Sequence, residues 1–391
     1  MIEVHSKALQ QSIHIDRTIN RVSGRLPGPT VIFFGGIHGN EPAGVFALHE
    51  VLKNIEQGNT LQRGTVIGIA GNLSALPYGV RYRDVDLNRI WTEEKLHANH
   101  ANANNPISRE LNEQKELLHL LKDMLSTNTG PFYFIDLHTT SSATTPFITL
   151  NDTIINRKFA MQFKVPVILG IEEHLEGPLL SYINEWGYIS IGFEAGQHND
   201  LESIFNHKDF IIKVLEVIGM LGQPVPTHRG YPEVFYEITY RHLVKAGDQF
   251  KMCHGFQNFQ DIATGQLLAF HNGEWIEAKE DGIIFMPLYQ DQGDEGYFLI
   301  SKVAARYLKL SLIIRCLHLD SWLTWLPGIR WRNELRRTLV VNKRIARFFA
   351  KDFLHLMGYR VRQVDGDHLL ATKRENRTAN RAYRKEVWLR K

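Results

Sequence analysis

A histidine and a glutamate three residues apart, His38 and Glu41, stand in the stretch Val31-Ile-Phe-Phe-Gly-Gly-Ile-His38-Gly-Asn-Glu41-Pro-Ala-Gly44. An imidazole and a carboxylate at that spacing on a turn can both reach one ion. A catalytic zinc site takes about three protein ligands and keeps one position for water, so a third ligand must come from elsewhere. Alone, His-x-x-Glu is a weak signal, because a hydrogen-bonded loop histidine is its commoner explanation. Two more reactive side chains follow similar apolar runs. His138 ends Phe132-Tyr-Phe-Ile-Asp136-Leu-His138, and Glu194 follows Tyr188-Ile-Ser-Ile-Gly-Phe193. His-Glu-His is the ligand set of a hydrolytic zinc site, and Glu194 then fits as the base that removes a proton from attacking water. The plainer alternative for Glu194 is a buried carboxylate paired with an arginine. Gly192 and Gly196 beside it argue for an approachable backbone instead.

The segment from Arg81 to Arg89 holds three arginines among two aspartates and an asparagine. Such clusters usually end as solvated ion pairs. Here Val85, Leu87, Ile90 and Trp91 are interleaved with the charges, which implies that part of the loop is buried. A buried arginine suits carboxylate recognition and oxyanion stabilisation, because its fork binds two oxygens at once.

Short β-branched and aromatic runs must position these groups. Val31 to Phe34 reads as a buried strand, Gly35-Gly36 as a sharp turn, and Val45 to Ile55 as a helix with Pro42 in its first turn. Gly64 to Ala70 completes a β-α-β unit, so the sheet is parallel in part, and its strand carboxyl ends are where open α/β sheets build sites. Leu26-Pro-Gly-Pro29 reads as a turn, Thr92 to Pro106 as a polar loop, and Ser108 as the cap of a helix reaching Leu125. A helix is expected from Leu201 to Met220. Beyond Pro224 and Pro226, short strands separated by Gly- and Asp-rich turns predict a β-rich unit. A helix from Asn333 to Met357 and a hairpin from Tyr359 to Thr372, turning at Asp365-Gly-Asp367, complete the reading.

The net charge of +3 conceals an asymmetry. Residues 301–391 carry 22 Lys and Arg against 7 Asp and Glu, leaving 23 against 35 for residues 1–300. Three units are therefore expected: 1–226, a catalytic domain with a central mixed β-sheet flanked by helices; 227–304, a small β-rich domain; and 305–391, a basic α+β extension. No run is apolar enough to span a bilayer, and Cys253 and Cys316 are the only cysteines, so a cytoplasmic protein is expected. The extension could dock on nucleic acid or an anionic surface. The favoured reading is a basic appendage packed against the acidic body, since it lacks a recognisable nucleic-acid motif.

Gly-Gly-Ile-His38-Gly-Asn-Glu41, Arg81-Tyr-x-Asp-x-Asp86-Leu-Asn88-Arg89, Asp136-Leu-His138-Thr-Thr and Gly-Phe-Glu194-Ala-Gly together resemble the succinylglutamate desuccinylase/aspartoacylase family, a branch of the zinc-carboxypeptidase-like hydrolases. The resemblance covers about residues 30–200 and, more weakly, the chain to about 302. It implies one zinc ion per chain on His38, Glu41 and His138, with Glu194 as base and then acid. It also implies Arg81 at the oxyanion, Asn88 and Arg89 on a substrate carboxylate, Asp86 orienting the first metal histidine, and Tyr297 reaching the substrate from the β-rich unit. The chain departs from aspartoacylases at Ser181-Tyr-Ile-Asn184-Glu-Trp186, which has no second substrate-binding arginine. Residues after about 305 have no counterpart. His198, four residues after Glu194, is expected to border the pocket without being a ligand. The expected activity is hydrolysis of an amide in a small substrate with a free carboxylate, of the N-acyl amino acid deacylase type. The alternatives are a metallocarboxypeptidase acting on short peptides or cell-wall fragments, and a non-catalytic protein that binds a polyanion through its tail.

Overall fold

The computed structural model describes residues 1–96, 108–222, 234–317, 319–332, 336–346, 351–375 and 381–389. A hairpin, β1 (Ile2–Ser6) and β2 (Gln11–Ile15), precedes β3 (Thr18–Ser23), β4 (Leu26–Gly35), helix α1 (Ala43–Gly58) and β5 (Arg63–Ala70). There follow α2 (Arg109–Thr127), β6 (Phe132–Thr140), β7 (Phe147–Leu150), α3 (Ile154–Ala160), β8 (Val167–Leu169), α4 (Leu179–Glu185), β9 (Ile189–Gln197) and α5 (Leu201–Ile218). The β-rich stretch supplies β10 (Phe235–Leu243), β11 (Phe250–Met252), β12 (Gln260–Ile262), β13 (Leu267–His271), β14 (Glu274–Glu277), β15 (Gly282–Phe285) and β16 (Glu295–Lys302).

One mixed sheet of 11 strands runs in the order β12-β15-β16-β10-β8-β7-β9-β6-β4-β5-β3. Strands β5, β4, β6 and β9 are parallel neighbours, so their carboxyl ends lie along one edge. Alternate residues of β4 serve opposite faces. Val31 and Phe33 join the core under α1 and α5, while Ile32 and Phe34 join the one under α2 and α4. Burial on both faces explains the near-continuous apolar runs. Four strands of the β-rich stretch (β10, β16, β15 and β12) extend this same sheet, and β11, β13 and β14 form a separate three-stranded one. The division at 226/227 and 304/305 remains our proposal for the unit boundaries.

The extension contains α6 (Ala305–Leu317), β17 (Ile329–Trp331), β18 (Thr338–Asn342), α7 (Lys351–Leu356), β19 (Tyr359–Gln363) and β20 (His368–Lys373), with sheet order β17-β18-β20-β19. The hairpin expected from Tyr359 to Thr372 is present. Of the helix expected from Asn333 to Met357, α7 is the helical part among the described residues, while Thr338 to Asn342 forms a strand, with Leu339 and Val341 buried and Thr338, Val340 and Asn342 less so. Three of the five residues are β-branched, and burial alternates along the run, as in a pleated, half-buried strand. The turn expected at Leu26-Pro-Gly-Pro29 lies inside β4, where pairing with β5 shifts register between Leu26 and Thr30. Ser108 accepts from Leu111 N at 3.3 Å, as a cap should. Most of the polar loop read from Thr92 to Pro106, and Pro224 and Pro226, lie outside the described residues. No described helix is long and apolar enough to cross a membrane.

Candidate active site

The turn after β4 is shaped by glycine. Gly36 has φ +70°, and a Cβ on Gly44 would stand 2.8 Å from that of Leu137, so α1 starts tightly against the sheet. Glu41 N donates to His38 O at 3.1 Å, closing the turn and turning both side chains to one point. His138 arrives from the next strand, and register pairs it with Glu194 on β9. Side chains of paired residues in neighbouring parallel strands emerge on the same face, so these two meet where β4 ends.

Glu41 sits between two imidazoles. His38 Nδ1 is 2.8 Å from Oε1, and His138 Nδ1 is 3.0 Å from Oε2, which also accepts from Thr139 N at 3.0 Å. The outer nitrogens face further carboxylates: His38 Nε2 lies 3.3 Å from Asp86 Oδ1, and His138 Nε2 lies 2.7 Å from Asp136 Oδ2. Burial acts to raise the Glu41 carboxyl, yet the two imidazoles hold it well below the usual carboxylate range. Burial acts to lower His138, yet Asp136 and Glu41 hold it well above the usual imidazole range. Three acids around two imidazoles call for a positive charge at their centre. Ligand atoms of His38, Glu41 and His138 lie within 4.8 Å of one another. With carboxylates fixing the outer nitrogens and the inner ones turned to a common point, the donor set fits a zinc ion.

Glu194 is 6% exposed, and its Oε2 has no hydrogen-bond partner. Burial pushes its carboxyl up to about 8, against the pull of His138 and with a further push from Glu41 and Asp136. Arg81 holds Asp86 through Nε at 2.9 Å and Nη2 at 2.8 Å, and its Nη1 lies 3.7 Å from Glu41 Oε1. A cavity of about 130 Å³ gathers His38, Glu41, Arg81, Asn88, Arg89, His138, Glu194 and His198. Its lining also includes an apolar set, Leu150, Ile171, Leu175, Leu180, Met286 and Phe298.

Three expected substrate contacts stand differently from their sequence reading. Tyr297 does not line the cavity. It is 3% exposed and stacks on His242 with ring centroids 4.9 Å apart. The pairing of β10 with β16 shifts between His242 and Leu243, leaving Gly296 as an extra residue. That bulge turns Glu295 and Phe298 to the cavity and Tyr297 away from it. Arg89, expected to await a carboxylate, donates from Nη2 to Glu295 Oε2 at 3.0 Å. Asn88 Oδ1 accepts from Leu179 N at 2.9 Å. Asp136 and Glu295 were missed in the sequence. Asp136 was findable, because strand alternation puts it on the same face as His138 two residues later; Glu295 carries no local signal. Also missed was a chain in which Thr139 Oγ1 meets His198 Nδ1 at 2.7 Å, and His198 Nε2 meets Gln290 Oε1 at 2.9 Å.

Residues 27–208 match the succinylglutamate desuccinylase/aspartoacylase catalytic domain. That stretch, just under half of the chain, is what the chain shares with the succinylglutamate desuccinylase/aspartoacylase family. A succinylglutamate desuccinylase of Pseudomonas syringae pv. tomato is 34% identical over 64 residues, 16% of this chain and 19% of the relative. A probable aspartoacylase of Prochlorococcus marinus is 35% identical over 118 residues, 30% of this chain and 36% of the relative. The chain thus spans between a fifth and just over a third of these curated relatives. The solved succinylglutamate desuccinylase of Vibrio cholerae shares the fold, with a TM-score of 0.56, 17% identity, and coverage of 74% of this chain and 92% of that one.

Proposed function

We propose that the chain is a zinc-dependent amide hydrolase, an N-acyl amino acid deacylase by type, acting in the cytoplasm on a small substrate with a free carboxylate. The observation that carries this reading is the convergence of His38, Glu41 and His138 beside the buried, half-satisfied Glu194 in one cavity. A zinc ion held by the three ligands would lower the pKa of water and polarise the scissile carbonyl. Glu194 removes a proton from the attacking water and passes it to the departing amine. Arg81, braced by Asp86, donates to the oxygen that gains charge at the carbonyl. Asp86 and Asp136 hold the two imidazoles in the orientation that leaves Nδ1 facing Glu41. Arg89 receives the substrate carboxylate.

Among the described residues that line the cavity, Arg81 and Arg89 are the only permanent cations. Each already faces an acid of the protein, and Ser181 to Trp186 adds no third. A second substrate carboxylate would be buried without a partner, which is strongly unfavourable. The test is metal analysis of the purified protein, followed by kcat/KM on N-acetyl-aspartate, N-acetyl-asparagine, N-acetyl-methionine and short peptides. Stoichiometric zinc and a preference for singly charged N-acyl substrates are expected. A clear preference for N-acetyl-aspartate refutes the specificity argued here, and a preference rising with peptide length favours a carboxypeptidase.

A further inference from the structure

The end of the cavity around Arg89 is more acidic than a carboxylate site should be. Arg89 and Glu295 both line it, and their side chains are 15% and 12% exposed, so neither is sealed from an incoming ligand. Beyond its bond to Glu295, Arg89 donates from Nη1 to Asn88 O at 3.0 Å and leaves Nε without a partner. Asp294, next in sequence, lies within electrostatic reach of both Arg89 and Arg81. Arg81 is already committed to Asp86. Around this end, then, three acids stand against two guanidiniums: Glu295 in the cavity lining, with Asp86 and Asp294 behind it. A ligand bearing only a carboxylate would have to draw Arg89 away from Glu295 and leave that acid half-buried and unpaired, which disfavours it. A ligand that also carries an ammonium replaces both halves of the pair at once.

We propose that Arg89 and Glu295 form a receptor for a zwitterionic substrate end, with the α-carboxylate on Arg89 and the α-ammonium on Glu295. The inference rests on the hydrolase reading for what happens at the other end of the substrate. If the α-amine is free, the amide to be cleaved lies on a side chain, as in an amino acid acylated on its ω-amine. The apolar wall of Leu150, Ile171, Leu175 and Phe298 then accommodates the intervening chain or the acyl group. Glu295 is a specificity-determining residue in this scheme, and it belongs to the β-rich stretch, which so takes part in choosing the substrate.

The experiment is calorimetric titration of the zinc-loaded protein with three inert probes of equal chain length: L-norleucine, 2-hydroxyhexanoate and hexanoate. Norleucine should bind at least about tenfold more tightly than the other two, the difference expected when a buried charge keeps its partner. Glu295→Gln should erase that advantage while leaving hexanoate binding equal or tighter. Should that variant fold poorly, Glu295→Asp, which keeps the charge, should retain the order of the probes. Equal binding of the three by the native protein, no binding of norleucine, or a norleucine advantage that survives in Glu295→Gln overturns the proposal. Comparing turnover of Nε-acetyl-lysine with that of N-acetyl-methionine separates the two readings. A norleucine preference without hydrolysis of any N-acyl compound sinks the hydrolase and leaves the receptor. Hydrolysis without the preference does the reverse.

Discussion

Replacing Trp388 with alanine should destabilise the domain that carries the candidate site, although the residue lies at the end of the basic extension. Trp388 is 3% exposed and packs edge-on against Phe159 with ring centroids 5.1 Å apart. It belongs to the same apolar core as Val31, Phe33 and the inner faces of α1 and α5. Its Nε1 donates to Tyr133 Oη at 3.0 Å, and that hydroxyl donates to Glu386 at 3.0 Å. Deleting a buried tryptophan from a core usually costs about 3–5 kcal/mol, the larger part being lost burial plus the cavity left behind. Tyr133 keeps Glu386 as a partner, so no buried hydroxyl is orphaned and no further penalty is added. The assay is urea unfolding followed by far-UV circular dichroism, which does not depend on the deleted indole. If the extension were held by charge alone, the substitution would change stability by less than about 0.5 kcal/mol, and moderate salt would loosen the tail instead. A midpoint unchanged within that margin would refute the packing argument.

Two substitutions separate the roles assigned in the site. Asp136→Asn should weaken metal binding by about 10–100-fold, measured by competition with a chelator, because it removes the carboxylate that orients His138; unchanged affinity would mean that the contact is incidental. Glu194→Gln should lower kcat by roughly 10²–10⁴-fold while the purified protein keeps its metal. Loss of the metal in that variant would make Glu194 a ligand and not a base.

The site was legible in the sequence where a short buried run led into a reactive residue. His38 follows β4 by three residues, His138 and Glu194 lie near the carboxyl ends of β6 and β9, and parallel pairing of the three strands brings those ends together. What escaped was set by register and by contacts between distant segments. One extra residue, Gly296, reverses the facing of Tyr297 and Glu295, and no local pattern announces a bulge there. The strand from Thr338 to Asn342 was hidden because five alternating residues lie within a run of arginines and lysines, where helical spacing also fits.

The basic extension shows most clearly how composition points to a contact without giving its physics. Its excess of cations suggested attachment to an acidic body by charge. Three of its groups do meet acids of that body: Arg315 and Arg374 both bond Asp152 Oδ2 at 2.9 Å, and His355 Nε2 lies 2.9 Å from Glu173. Arg315 and Arg374 are almost fully buried, as are Asp152 and Glu173. Burying ions removes their hydration, so such pairs add little net stability although breaking one is costly. The favourable free energy must then come from apolar contact, which Tyr383 and Trp388 supply inside the core beneath α1 and α5. Tyr383 also ties two strands together, donating to Phe132 O on β6 and accepting from Ile189 N on β9 at 3.1 Å. The ion pairs decide where the extension sits, since a misplaced one would leave a buried charge alone, and the aromatic residues decide that it stays. Asp152 follows Asn151, and Glu173 lies two residues after Ile171; Asn151 and Ile171 both line the cavity. The register set by Arg315 and Arg374 therefore reaches the wall against which the substrate would lie.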